Sequence, residues 1–219
     1  MVNSPLPKKI PYDISEKYEV HEWRHALAVL QTDYPQEWQD VVKVLRSFRL
    51  LKSEIVASGG RKTKIAERLD KPLYELGWCE KKFETSVQVD QEKLESPTHK
   101  VDCYKNQVAL EVEWNNKDPF FDRDLNNFRL LFDLRAISVG VVITRCDELE
   151  SVFHQLNVHK SYGQSTTHMR HLISRIQGGG GGGCPILAFG IRPKLYEDDG
   201  SEIPERSEGI SEGKNGEDK

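Results

Sequence analysis

Residues 101–114 read VDCYKNQVALEVEW, and their spacing decides the rest. A two-residue turn at Asn106-Gln107 predicts a hairpin that pairs residue 105 with 108, 103 with 110 and 102 with 111. Side chains alternate faces along a strand. Val101, Cys103, Val108, Leu110, Val112 and Trp114 are therefore expected on one apolar face, and Asp102, Tyr104, Ala109, Glu111 and Glu113 on the other. Asp102 then lies opposite Glu111, with Cβ atoms about 4.5–5.5 Å apart. Glu113 follows two residues along on the same side, so three carboxylates are expected to converge.

Outward from this hairpin the pattern alternates between the two regular periods. Ile137–Thr144 is continuous and β-branched, as a strand buried on both faces requires. Asp118-Pro119 has the chemistry of a helix N-cap and first helical position, and Leu125, Phe128, Leu131 and Phe132 give the helix that follows an apolar face. Further on, the sequence predicts a helix from Asp147 to Leu156, a polar loop over 160–167, a helix over 167–177, six glycines and a last buried strand over 185–191. Upstream, residues 18–23 read as a short strand and 26–30 as a helix. Pro35 opens a second helix, whose stripe of Trp38, Val41, Val42, Leu45 and Phe48 is core. A basic loop, Ser58-Gly59-Gly60-Arg61-Lys62, precedes a helix from Lys64 to Leu76 that Pro72 disturbs and Gly77 ends. Strands alternating with helices imply an α/β sandwich around a mixed central sheet.

The 219 residues, 37% hydrophobic and 30% charged, suit a globular protein built on one sizeable core. No apolar run reaches the roughly 18–20 residues of a membrane span, and the N-terminus lacks the hydrophobic stretch of an export signal. The formal charge of −4 belongs to the tail, because residues 197–219 hold nine acids against Arg206, Lys214 and Lys219. Residues 1–196 are near neutral. The chain is thus expected to divide into an N-terminal extension (1–16), one domain (17–196) and an acidic, disordered tail (197–219). Cys79, Cys103, Cys146 and Cys184 stand singly with no CxxC, which argues against structural zinc and suits a reducing cytoplasm. His168 and His171, three apart on a helix, read as a solvated face rather than a metal pair.

Like charges directly opposite each other destabilise a sheet. At ~4 Å a carboxylate pair repels by about 4 kcal/mol at an effective dielectric near 20, so a proton, a basic partner or a divalent cation must compensate. Oxygen donors without His or Cys favour a hard cation, Mg²⁺ or Mn²⁺. Mg²⁺ on two or three carboxylates completes its shell with water and phosphate oxygens, which suits phosphodiester hydrolysis. An exposed hairpin face on which solvent screens the acids is the alternative.

Asp102 with Glu111 nine residues on, followed by Val112 and Glu113, resembles the D-x(8)-E-V-Q pattern of the BglII/BstYI-type restriction endonucleases, within the PD-(D/E)XK nuclease superfamily. The likeness continues through Asn116, Pro119-Phe120 and residues 139–144, and returns at 185–191. It covers roughly residues 17–192. The resemblance implies a restriction-endonuclease-like fold and a Mg²⁺-dependent homodimeric type II endonuclease, cutting a short, GATC-centred palindrome in double-stranded DNA. Mn²⁺ would substitute, and a cognate methyltransferase would accompany the enzyme. By the same resemblance Asp102 and Glu111 are the metal ligands and Asp102, Glu111 and Glu113 the catalytic set. Glu113 departs from the family's Gln and the superfamily's Lys, although a Glu there occurs in a related restriction enzyme; it is read as a group that orients water or accepts its proton.

For DNA reading, Asn116 sits where the family places a major-groove side chain, and Asn pairs bidentately with adenine; an Asx turn before Asp118 is the other reading. Lys117 suits a phosphate. Ser165, Thr166, Thr167 and His168 resemble in position a second recognition loop. The glycines at 178–183 are either a plain connector or backbone that approaches DNA. A repair-type nuclease of the same superfamily and a non-catalytic DNA-binding protein are the competing functions.

Overall fold

The structure is a computed structural model that describes residues 10–57 and 63–203. The basic loop at 58–62, most of the N-terminal extension and most of the acidic tail lie outside the described residues. In chain order the elements are α1 (Tyr12–Ser15), β1 (Tyr18–Trp23), α2 (Ala26–Thr32), α3 (Pro35–Ser47), β2 (Leu50–Leu51), α4 (Lys52–Val56), α5 (Lys64–Glu75) and β3 (Cys79–Lys81). There follow β4 (Glu84–Val89), β5 (Glu92–Pro97), β6 (Val101–Lys105), β7 (Val108–Val112), α6 (Phe120–Asp133), β8 (Val139–Arg145), α7 (Glu150–Gln155), α8 (Met169–Gln177), β9 (Ile186–Ile191) and β10 (Tyr196–Glu197).

Six strands form the central sheet in the order β1-β9-β8-β7-β6-β3. β7, β8 and β9 run parallel, while β1, β6 and β3 join antiparallel to their neighbours. The sheet is mixed and covered on both faces, as the alternating pattern predicts. Trp38, Leu45, Leu69 and Phe153 from α3, α5 and α7 pack on one face, and Phe121, Leu125, Phe128, Leu172 and Ile176 from α6 and α8 on the other. Every residue of β8 and β9 is buried, which explains their unbroken apolar sequences. Pro35 is the first residue of α3, and the Thr63 hydroxyl caps α5 by accepting from Ala66 N–H at 3.2 Å. Ile14 of α1 is fully buried in the core.

The hairpin register matches the sequence reading: Lys105 faces Val108, Tyr104 faces Ala109, and Cys103 faces Leu110. One residue departs from it. Val101 packs with Ala109 and Phe128, on the face opposite Cys103, Leu110 and Val112. The cause is a register shift against β3, which pairs Cys79 with Tyr104 but Lys81 with Val101, so β6 carries one extra residue and its alternation inverts.

Three further expectations are corrected. Asp118 does not cap α6; its carboxylate takes the Arg175 guanidinium at 2.8 Å instead, and Pro119 fills the cap position without a side-chain bond. The segment from Asp147 begins as a tight 3-10 turn over Asp147–Leu149 before α7. His168 is buried rather than solvated, its Nδ1 2.8 Å from Asp147 Oδ1. The glycine run packs against α6. A Cβ at Gly181 would stand 2.5 Å from Ile186 Cδ1, and Gly182 has a positive φ of 55° with Arg129 where a Cβ would go. Among the described residues no helix is long and apolar enough to cross a membrane, and all four cysteines are free.

Candidate active site

At the end of the hairpin away from its turn the two strands exchange side chains for ladder bonds. Past the Cys103–Leu110 pair, Asp102 N–H donates to Glu111 Oε2 at 3.3 Å, and Val112 N–H donates to Asp102 Oδ2 at 3.2 Å. The carboxyls of Asp102 and Glu111 thus lie side by side, in direct contact. Glu113 N–H continues onto β8 through Ile143 O at 2.9 Å. α6 closes the site from the second face. Gly140 on β8 makes this possible, because a Cβ there would stand 2.5 Å from the Phe128 ring. The ring therefore lies directly on the strand, and one turn earlier the helix delivers Asp124 to Glu113.

Asp124 and Arg123 are the members that the sequence reading missed. An acid and a base on a helix ordinarily face solvent, but position 124 falls on the stripe formed by Phe121, Leu125 and Phe128, and Asp124 is buried with them. Arg123 Nη2 lies 3.2 Å from Glu113 Oε1 and 2.7 Å from Asp124 Oδ1. Glu113 Oε2 accepts from Asn116 Nδ2 at 2.6 Å. Both Glu113 oxygens are thereby fixed in direction. The Asn116 side chain is engaged with Glu113 rather than with an Asx turn, and its amide orients that carboxyl.

The electrostatics are those of too many acids for the cations at hand. Burial first, then Asp124 and Asp102, pushes the Glu111 carboxyl well above the usual carboxylate range. Burial and the neighbouring Asp124 push Glu113 up to about 9 against the pull of Asn116 and Arg123. Asp124 is raised as well, by burial first. Glu111 Oε1 and Asp124 Oδ2 are buried without a hydrogen-bond partner. A buried carboxylate oxygen left unpaired is costly unless a proton or cation completes it.

These orphaned oxygens, in a donor set made only of oxygen, fit a hard divalent cation. Among the described residues, no group of three or more His, Cys, Asp or Glu side chains is already set to hold a metal ion. The three-way convergence of Asp102, Glu111 and Glu113 is accordingly corrected: Glu113 turns to Asn116 and Arg123, and Asp102 with Glu111 remain as the adjacent pair. A cleft of about 280 Å³ opens over them, lined by Asp102, Val112, Glu113, Asn116, Phe120 and Arg123 together with Glu80 and the start of α5.

The two expected DNA-reading segments meet beside this cleft. Lys117 and Thr166 form an antiparallel bridge, Thr167 N–H donates to Asn116 O at 2.8 Å, and Thr167 Oγ1 accepts from Asn116 N–H at 3.1 Å. Arg145, buried at the end of β8, holds the loop from beneath through Thr166 Oγ1 at 2.8 Å and Tyr162 O at 3.3 Å. Lys117 and Ser165 are exposed and Thr166 is half-buried. Thr167 and His168 are buried, Thr167 bonded to the Asn116 backbone and His168 Nδ1 lying 2.8 Å from Asp147 Oδ1.

A family model described as restriction endonuclease BglII/BglIII matches residues 18–191, from the first residue of β1 to the last of β9. No curated protein matches the chain.

Proposed function

Because the chain belongs to the BglII/BglIII restriction endonuclease family, and is thereby a type II site-specific deoxyribonuclease acting on double-stranded DNA, we propose that it cuts with Mg²⁺ held by Asp102 and Glu111. The observation that carries this reading is the pair of buried carboxylate oxygens without partners, Glu111 Oε1 and Asp124 Oδ2, beside the Asp102 carboxyl. Bound there, Mg²⁺ would polarise a phosphoryl oxygen and lower the pKa of a water. Mn²⁺, which takes the same oxygen donors, would substitute.

The remaining work falls to side chains of this chain. Glu113, with one oxygen held by Asn116 and the other by Arg123, has the fixed orientation that a water-positioning or proton-accepting carboxylate needs. Its pKa near 9 keeps it protonated at neutral pH while the acids stand uncompensated. A positive charge nearby lowers that value and makes the group a base.

Recognition is assigned to the bridged segments. Lys117 and Ser165 face solvent next to the cleft and reach phosphate or base edges first. Asn116, Thr166, Thr167 and His168 set the shape of that surface, and Asn116 reads a base only by giving up Glu113. A short palindromic site, GATC-centred as the sequence resemblance implies, calls for a two-fold symmetric reader and hence a homodimer. A cytoplasmic location and a companion methyltransferase belong to the same reading.

The test is direct. Plasmid DNA with Mg²⁺ should give discrete fragments whose mapped ends define one site, and Asp102→Ala should bind the same duplex without cutting it. A smear without bands would reject site-specific cleavage, and full activity in Asp102→Ala would reject the assigned ligands.

A further inference from the structure

We propose that Arg123 binds the scissile phosphate, and that Glu113 and Asp124 hold its guanidinium ready for that purpose. The proposal rests on the nuclease reading above.

The cleft over the hairpin is lined by Glu80, Asp102 and Glu113, and Arg123 is its one basic side chain among the described residues. Beside the neutral Thr63 and Asn116 the polar lining is acidic, so Arg123 is the lining group, among the described residues, whose charge attracts a phosphodiester. The guanidinium is always charged, planar and matched to two phosphate oxygens at once. Its position is built rather than incidental. Nε lies 2.8 Å and Nη2 2.7 Å from Asp124 Oδ1, Nη2 lies 3.2 Å from Glu113 Oε1, and the group sits 4.4 Å from the centre of the Phe120 ring. Among the described residues no hydrogen bond takes Nη1. The side chain is one-third exposed although both its acidic partners are almost fully buried, so the cation is the part of the cluster that a ligand can reach.

A purely structural role predicts something different. A guanidinium placed only to bond Glu113 and Asp124 would be indifferent to whether DNA carries a charge at the cleavage position. This difference is measurable without cleavage. The duplex that the wild-type enzyme cuts is prepared with its natural scissile phosphate and with a neutral methylphosphonate there, and both are titrated in EDTA against wild type, Arg123→Gln and Arg123→Lys. The ratio of affinities, charged over neutral, should be about fivefold or more higher in wild type than in R123Q, with R123K between them. With Mg²⁺, kcat of R123Q should fall about 100-fold, the loss seen when one transition-state donor is removed.

An unchanged affinity ratio in R123Q, or a kcat within threefold of wild type, overturns the proposal while Asp102→Ala still tests the nuclease reading separately. Thermal melting shows whether R123Q is folded. If it is not, Arg123→Gln combined with Asp124→Asn removes the cation together with its buried counter-charge, and an affinity ratio equal to wild type in that variant is equally fatal. A wild-type protein that makes no cuts in any duplex with Mg²⁺ ends both readings.

Discussion

The two ends of the β6–β7 hairpin both bury acids, and they treat them in opposite ways. At the turn end, Asp40 of α3 accepts from Lys105 Nζ at 2.8 Å, Gln36 Nε2 at 3.0 Å and Trp78 Nε1 at 3.1 Å, while Glu37 accepts from Asn106 at 2.7 Å. Burial raises the pKa of Asp40, but these partners outweigh it and hold the carboxyl below its usual range. At the open end, Asp102, Glu111, Glu113 and Asp124 share one arginine, two buried oxygens have no partner, and the pKa values of Glu111, Glu113 and Asp124 rise. Both ends hang on the same two strands, so strand geometry is not what separates them. A carboxylate placed for stability comes with its donors, and one placed for chemistry is left short of positive charge.

Substitution should therefore act with opposite sign at the two ends. Glu111→Gln should lower Mg²⁺-dependent cleavage about 10³-fold or more, yet raise the melting temperature of the metal-free protein at pH 8 by about 2–4 °C for each kcal/mol of relieved burial. A lower melting temperature would mean that Glu111 is structural. Asp40→Ala should leave kcat within a few-fold and cost about 2–4 kcal/mol, because Lys105 and the Trp78 indole lose their shared acceptor. Urea unfolding measures that cost, and a loss confined to activity would erase the contrast.

How much of this is written in the sequence follows from the range of each interaction. The hairpin register is local, set by a two-residue turn and by alternation, so the adjacency of Asp102 and Glu111 is legible from fourteen residues. Val101 is misread because the bulge that turns it depends on β3, twenty residues upstream. Asp124 is hidden by its chemistry, since an acid inside an amphipathic helix counts against burial, although its place on the stripe with Phe121 and Phe128 marks it. The burial of His168 depends on Asp147, and the use of Asn116 depends on which way Glu113 turns; both are decided by packing across elements. The family likeness runs through the helix bearing Leu125 but gives no role to Arg123 or Asp124, which complete the site.

The comparison also predicts opposite pH limits. An acid whose folded pKa lies below its unfolded one stabilises the protein above the unfolded value and ceases to do so as pH falls. Asp40 thus contributes an acid limit, near and below pH 4. Glu113 works the other way. Folded, it keeps its proton up to about pH 9, whereas the unfolded chain releases it near 4.5, so the metal-free protein loses stability progressively across that window. Melting in EDTA from pH 4 to 10 should show the decline, and Glu113→Gln should flatten it. An unchanged slope in that variant would mean that the carboxyl is not raised.

The smallest expected change lies in neither cluster but in the glycine that lets α6 approach. A Cβ at position 140 would fall 2.5 and 2.6 Å from Phe128 Cδ2 and Cε2, far inside contact distance. Gly140→Ala must move the ring or the helix, at a cost of about 1–3 kcal/mol. If the helix moves, Asp124 and Arg123, about one turn before Phe128, are drawn from Glu113, and cleavage should fall more than stability alone explains, whereas the Asp40 end is untouched. Phe128→Leu in the same chain removes the clashing ring edge and should restore most of both losses. Recovery of stability without activity would show that the ring, and not merely the closeness of the helix, sets the geometry at Glu113.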